Sequence, residues 1–281
     1  MLSAVTKNSI HPDNEHNRLA SKTIKQIQGL SNTKHNQIKD KTMNKSKCLL
    51  MRLALIIGFI AQCALLQAST LIDGLYYDLN PSTHTATVTY EKDGTGNYAS
   101  LPANIKIPKS VEYNGVTYSV TKIANNAFTY CKSLESISIP GTVVQIGATI
   151  YAGSYSVGGP RLPFDDCTAL KSVRFEDGEQ GLKLGAFYQE GYQSSGLFSY
   201  CPLEEVYIGR NISYQGSTFE EKPRYYGYSA FYHQGKLTKA VISSSVTAIP
   251  KYLFYYCSAL SDVDIQGQLV EIPRYSFSEC I

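Results

Sequence analysis

Five cysteines, Cys131, Cys167, Cys201, Cys257 and Cys280, are the first side chains to weigh for chemistry. A thiolate can act as a nucleophile, ligate a metal or pair into a disulfide. Their spacing argues against all three. Each lies three residues after a phenylalanine, so all five share one repeat position. Side chains at one repeat position form a column that points one way, which suits packing better than bridging and does not converge on a metal. The expectation is a column of free, buried thiols. Only His84 and His233 accompany them after residue 68, and His233 is expected to be exposed in a turn. Paired acids stand at Asp165-Asp166, Glu176-Asp177 and Glu220-Glu221. They read as turn residues; a hydrolase using carboxylates on the strand face is the enzyme-class alternative. The stretch GTGNYA, from Gly94 to Ala99, lacks the strand–turn–helix context of a dinucleotide loop and reads as a turn. No catalytic residue, metal or cofactor is expected.

The elements that position the cysteines follow from the same repeat. The pattern Phe-x-x-Cys-x-x-Leu-x-x-apolar-x-apolar runs Phe128, Cys131, Leu134, Ile137, Ile139. It returns as Phe164, Cys167, Leu170, Val173, Phe175 and as Phe254, Cys257, Leu260, Val263, Ile265. A copy one residue shorter runs Phe198, Cys201, Leu203, Val206, Ile208. A degenerate copy runs Phe231, Leu237, Ala240, Ile242, with Gln234 in the Cys place, and Phe277 with Cys280 opens a last one. A spacing of three suits one face of a helical turn, and a spacing of two suits one face of a strand. Each unit thus reads as a short helical turn feeding a short strand, and stacked units share one core. Apolar pairs such as Val144 and Ile146, Val246 and Ile249, and Leu269 and Ile272 should build the opposite wall. The fold class expected is an α/β solenoid with a small β-rich cap before it. Boundaries are placed at residues 69–120 for the cap and 121–281 for the solenoid. The chain stops one residue after Cys280, so the array reads as truncated, with an open edge at its last strand that invites self-association.

Charge is divided unevenly. Residues 1–68 carry ten Lys and Arg against three acids, and the remainder carries sixteen against twenty. The mildly acidic remainder argues against a nucleic-acid partner. Residues 1–42 are polar without apolar periodicity and read as a disordered extension, with Met43 as an alternative start. Lys45, Lys47 and Arg52, the apolar run Leu53–Leu66 and Ala68 make residues 43–68 a secretory signal. The run is too short for a stable membrane span, so an exported chain beginning near Ser69 is expected.

At this point the chain resembles the BspA-type leucine-rich repeats of bacterial surface proteins. The stretch NAFTYCKSLESISIPGTVVQIG carries the resemblance, and YNGVTYSVTKIANNAF is similar to the family's usual entry into the array. The resemblance implies a secreted or cell-surface protein that binds a protein or glycan, or an appendage of a larger surface protein.

Two surfaces are candidates for binding. The outward residues of successive strands form a ladder that includes Ser138, Arg174, Tyr207, Lys239 and Asp264. The second surface is a set of insertions rich in Tyr, Gly and Ser, carrying Tyr151, Tyr155, Tyr192, Tyr225, Tyr226 and Tyr228. Tyrosine gives large contact area at low entropy cost, and Gly and Ser keep the backbone adaptable.

Overall fold

The computed structural model describes residues 69–91, 98, 101–151, 161–188, 195–215 and 229–280, with positions 22, 25 and 26 besides. The chain divides into two compact units, Met1–Leu66 and Gln67–Ile281. In the first, Lys22, Lys25 and Gln26 are helical and exposed. The expected secretory segment and its cleavage point up to Ala68 lie outside the described residues. Among the described residues, no helix is long and apolar enough to cross a membrane.

The second unit opens with an antiparallel meander of β1 (Thr70–Ile72), β2 (Leu75–Asn80) and β3 (Thr85–Thr89). Asp73 and Gly74 join β1 to β2 with φ of 48° and 84°, the two positive values that a tight two-residue hairpin turn needs. Leu75, Tyr77 and Leu79 alternate inward, and Tyr77 and Leu79 pair with the buried Val88 and Ala86. After β4 (Asn104–Lys106), a second hairpin joins β5 (Ser110–Tyr113) to β6 (Val116–Ile123) through Asn114-Gly115. β3 then pairs parallel with β6, so the meander and the repeats share one sheet.

Two parallel sheets enclose the repeat core. One continues from β6 through β8 (Gln145–Ile146), β11 (Leu182–Leu184) and β14 (Ile212–Tyr214). The other runs β4, β7 (Ser136–Ile139), β10 (Ser172–Phe175), β13 (Glu205–Ile208), β15 (Lys239–Ile242) and β16 (Asp262–Ile265). A small third sheet pairs β9 (Ile150–Tyr151) with β12 (Phe187–Tyr188). The apolar pair of each unit falls in two rows, Ile137–Val173–Val206–Ala240–Val263 and Ile139–Phe175–Ile208–Ile242–Ile265. Every member is buried except Val263 and Ile265, each 37% exposed. The opposite wall forms as expected at Val246 and Ile249; in the first repeat Val143, one residue earlier than expected, is buried with Ile146. In the last, Leu269 packs partly buried against the core, whereas Ile272 is exposed. β4, inside the stretch assigned to the cap, already belongs to the repeat sheet, pairing Ile105 with Ile137.

Among the described residues the expected helical turn is not present, and the repeats are built of strands and turns. The Phe-x-x-Cys-x-x-Leu segment is a run of turns, each closed three residues on: Cys131 N–H to Phe128 O, then Leu134 N–H to Cys131 O. The residue two after Phe has left-handed backbone at Tyr130 (φ 62°), Asp166 (59°), His233 (57°), Tyr256 (63°) and Glu279 (60°). A left-handed residue interrupts the right-handed φ that a helix requires. Successive turns and a helix both repeat near three residues, so spacing alone does not separate them. The amides that a helix would satisfy internally bond to the next coil instead, as Phe128 N–H does to Pro163 O and Tyr130 N–H to Asp165 O.

Two columns align the coils. The rings of Phe128, Phe164, Phe198, Phe231, Phe254 and Phe277 stack with neighbouring centroids 5.1–5.6 Å apart. Tyr98 extends this column onto Phe128 at 5.8 Å, its hydroxyl donating to Thr89 O and accepting from Tyr76 N–H. The cysteines are free, as expected, and the first four are buried. Each thiol from the second onward donates to the Phe carbonyl of the preceding coil: Cys167 to Phe128, Cys201 to Phe164, Cys257 to Phe231 and Cys280 to Phe254. Cys131 meets the backbone of Tyr98 in a hydrogen bond that favours its thiolate and partly offsets its burial. Gln234, in the Cys place of the fourth copy, reaches Phe198 O with its Nε2 at 2.7 Å. Burial pushes the thiols of Cys131 and Cys257 up to about 12 and raises Cys167 and Cys201 further.

The thiolate is the reactive form, so Cys131, Cys167, Cys201 and Cys257 should resist alkylation in the folded protein, and the half-buried Cys280 should react before them. Mass mapping after timed labelling checks this; Cys167 reacting at the rate of an exposed thiol would contradict it. Gln234→Leu keeps similar bulk and removes one of the two donors to Phe198 O, whose other donor is Cys201 N–H. It should cost about 1 kcal/mol in denaturant unfolding, the net worth of one hydrogen bond.

Candidate functional site

Parallel pairing sorts the outward strand residues into two rows. One holds Lys106, Ser138, Arg174, Tyr207, Val241 and Asp264; the other holds Asn104, Ser136, Ser172, Glu205, Lys239 and Asp262. Four expected residues, Ser138, Arg174, Tyr207 and Asp264, therefore share a row. Lys239 stands in the other, between Glu205 and Asp262.

Much of this face is bonded within itself. The Arg174 guanidinium lies 3.5 Å from the centre of the Tyr207 ring. Tyr207 donates its hydroxyl to Asp177 Oδ2 at 2.8 Å. Ser243 and Ser245 donate to Asp177 Oδ1, so three hydroxyls from two further coils meet one carboxylate. Ser138 donates to Glu176 Oε1, which Lys106 also approaches at 3.6 Å. In the second row, Ser136 donates to Asn104 and Ser172 to Glu205. Partial burial acts to raise Asp177, but the bonds from Ser243, Tyr207 and Ser245 outweigh it and hold the carboxyl below its ordinary value.

Beneath the strand ends lies Arg210, 1% exposed. Its two terminal nitrogens donate to Gly141 O at 2.6 Å and Pro140 O at 3.0 Å, while Nε has no partner. The side chain reaches past Gly178, where a Cβ would meet both Gly141 and the guanidinium. Burial brings Arg210 down to about 10, partly offset by the charge of Glu176. Sequence reading missed Lys106, Asp177 as a hub, Ser243, Ser245 and Arg210. Only pairing in register brings them together; the one local signal was the Ser243-Ser244-Ser245 run beside a strand end.

The second surface is seen at its stems. Tyr151 is 47% exposed, whereas Tyr155, Tyr192, Tyr225, Tyr226 and Tyr228 lie outside the described residues. The three insertions leave the described chain after Tyr151, after Tyr188 and after Gln215. These points are tied side by side: Tyr151 pairs with Tyr188, and Gln215 accepts from Thr149 N–H and donates to Gly147 O.

The other candidates do not assemble. His84 packs edge-on to Tyr118, and His233 is exposed beside Tyr232 and Tyr256. Asp165 pairs with Arg161 at 2.6 Å, and Glu220-Glu221 lies outside the described residues. Among the described residues, no three His, Cys, Asp or Glu side chains come together as a metal would need.

The depressed Asp177 carboxyl makes a signed prediction. Its bonds stabilise the fold above the unfolded carboxyl value, about 3.9, and that contribution is lost as pH falls through the lower folded value. Asp177→Asn should therefore lower the unfolding midpoint at neutral pH, with the gap to the parent protein closing below that value. A gap that persists unchanged into strong acid would contradict the hub.

No curated protein matches the chain. Among solved structures it is similar to a leucine-rich cell surface protein from Faecalibacterium prausnitzii, at 20% identity over 70% of this chain and 54% of that one, with a TM-score of 0.34. It is also similar to a leucine-rich repeat protein from Bacteroides ovatus, at 20% identity over 75% of this chain and 57% of that one, with a TM-score of 0.33. The leucine-rich repeat protein of T. pallidum matches at 19% identity over 70% and 81%, with a TM-score of 0.40. The chain thus spans little more than half the length of the first two. The family model that matches is the BspA type leucine rich repeat region, found in six copies over residues 104–222 and 194–281. This match covers more than half of the sequence, and the chain belongs to the BspA-type leucine-rich repeat family.

Proposed function

We propose that the chain is a non-catalytic recognition module, exported and secreted or held at the cell surface, that binds an extracellular protein or glycan through its insertion edge. Export rests on the basic, apolar and small-residue pattern of residues 43–68. One observation carries the choice of edge: three insertions rich in Tyr, Gly and Ser spring from stems locked together by the Tyr151–Tyr188 pairing and the Gln215 bonds. A rigid scaffold that presents adjacent adaptable loops is the usual architecture of a binding surface. The strand face is the lesser choice, because Ser138, Arg174 and Tyr207 already partner Glu176, Asp177 and one another.

The test is capture of ligands from arrays of extracellular proteins and glycans by the parent protein and two variants. In one, residues 152–160, 189–194 and 216–228 are each replaced by a short Gly-Ser turn. In the other, Arg174 and Tyr207 are both changed to Ala. Saturable capture that is lost in the first variant and kept in the second is expected, with circular dichroism confirming that both fold. Loss confined to the strand-face variant would move the site, and turnover of a captured glycan or peptide would overturn the non-catalytic reading.

A further inference from the structure

The turn edge of the last coils carries a group of tyrosines that neither candidate binding surface uses. Tyr252 and Tyr275 each stand two residues before a column phenylalanine, with matching left-handed φ of 62° and 66°. Equal backbone at equal repeat positions presents the two rings as near copies of each other. Their centroids are 5.0 Å apart and their planes 7° from parallel. The Phe254 N–H to Ser276 O bond, 2.8 Å, ties the two turns together beside them. Arg274 covers the Tyr275 ring at 4.4 Å. Tyr255 lies 5.6 Å from Tyr252, and Tyr256, 41% exposed, lies 5.2 Å from Tyr255. An exposed phenol is thus linked through ring neighbours to the stacked pair.

We propose that Tyr252 and Tyr275 are a site of oxidative modification, at which a peroxide-driven one-electron oxidant couples them into dityrosine and staples the last two coils. Each phenol gives up one electron and one proton to the oxidant, leaving a phenoxyl radical whose unpaired electron extends to the ring carbons beside the hydroxyl. Two such carbons on the facing rings form one C–C bond, and the hydrogen on each moves to its own oxygen to restore the aromatic ring. Overall one hydrogen peroxide and two phenols give one dityrosine and two waters. A hole formed first at Tyr256 reaches the pair by steps through Tyr255.

The surroundings favour these rings over other sinks. The sequence has no Trp, and its three methionines all precede residue 69. Cys131, Cys167, Cys201 and Cys257 are buried, and the half-buried Cys280 is the repeat thiol that competes and is blocked before oxidation. Among the described residues, other tyrosine pairs are less well placed: Tyr232 and Tyr255 are 6.1 Å apart, and Tyr76 and Tyr98 are tilted by 47°.

The full chain, its accessible thiols alkylated beforehand, is kept dilute, treated with hydrogen peroxide and a haem peroxidase, and then digested with trypsin under reducing conditions. Cleavage after Lys251 and Arg274 makes Tyr252 and Tyr275 the first residues of separate peptides, 252–274 and 275–281. Coupling joins these two in a product lighter than their sum by two hydrogens. The expected result is that joined product with dityrosine fluorescence, in a yield independent of protein concentration. Tyr275→Phe keeps the ring stack but lacks the phenol, so it should fold normally and lose the product. The oxidised parent, and not the oxidised variant, should show a raised unfolding midpoint. Dityrosine found only at other positions, a yield that climbs with concentration, or survival of the signal in Tyr275→Phe would each overturn the proposal.

Discussion

The stack depends on a double demand made on one backbone oxygen. At Phe128, Phe164, Phe198 and Phe254 the phenylalanine carbonyl closes its own turn by accepting the amide three residues on, and it also accepts a side-chain donor from the next coil. Both donors are buried, where an unanswered polar group costs more than a made bond returns. Cysteine fits the inner place because it is small, apolar enough for the core and still a weak donor. Gln234 shows that the donor matters beyond the sulfur: where the fourth copy lacks a thiol, an amide reaches the equivalent oxygen. The phenylalanine rings above this line add their own stack, so a shift of one coil would break a hydrogen bond and a ring contact together.

This alignment explains how coils of unequal length coexist. Phenylalanines of successive coils are 36, 34 and 33 residues apart early in the array and 23 apart later. The columns nevertheless run without a break from Phe128 to Phe277. The added residues leave the described chain at one edge, between the β8–β11–β14 wall and the phenylalanine turn. Extra chain in a surface loop adds closure entropy only slowly with length. The array thus takes insertions at one place while its columns stay fixed.

Strands and columns were legible in the sequence because they depend on period. Phe, Cys and Leu three apart and apolar residues two apart gave the buried rows as observed. The backbone between them was not legible: a turn held by left-handed Tyr130 or Tyr256 has the same period as a helix. Tyr98 escaped notice because its unit is shorter and lacks Phe and Cys. The strand-face network was also hidden. Ser138, Arg174 and Tyr207 follow from alternation, but their anchors Glu176, Asp177 and Ser243 belong to strand ends that meet only through stacking. Lys239 was grouped with them because alternation gives two outward positions per strand, and only register tells which row each joins.

Arg210 sets a limit on how such an array can change over generations. Its guanidinium belongs to the coil of β13 and donates to carbonyls after β7, reaching over the intervening coil of β10 at Gly178. Most contacts here join nearest neighbours, so whole repeats could be gained or lost by unequal recombination with little harm. The three coils spanned by Arg210 are an exception, as are the coils of β10, β13 and β15 that Ser243 and Ser245 tie to Asp177. Duplicating or deleting the coil of β10 would strand a buried cation away from its two oxygens, at a cost of several kcal/mol. The units tied in this way should be inherited as a block, and variation in copy number should fall outside them.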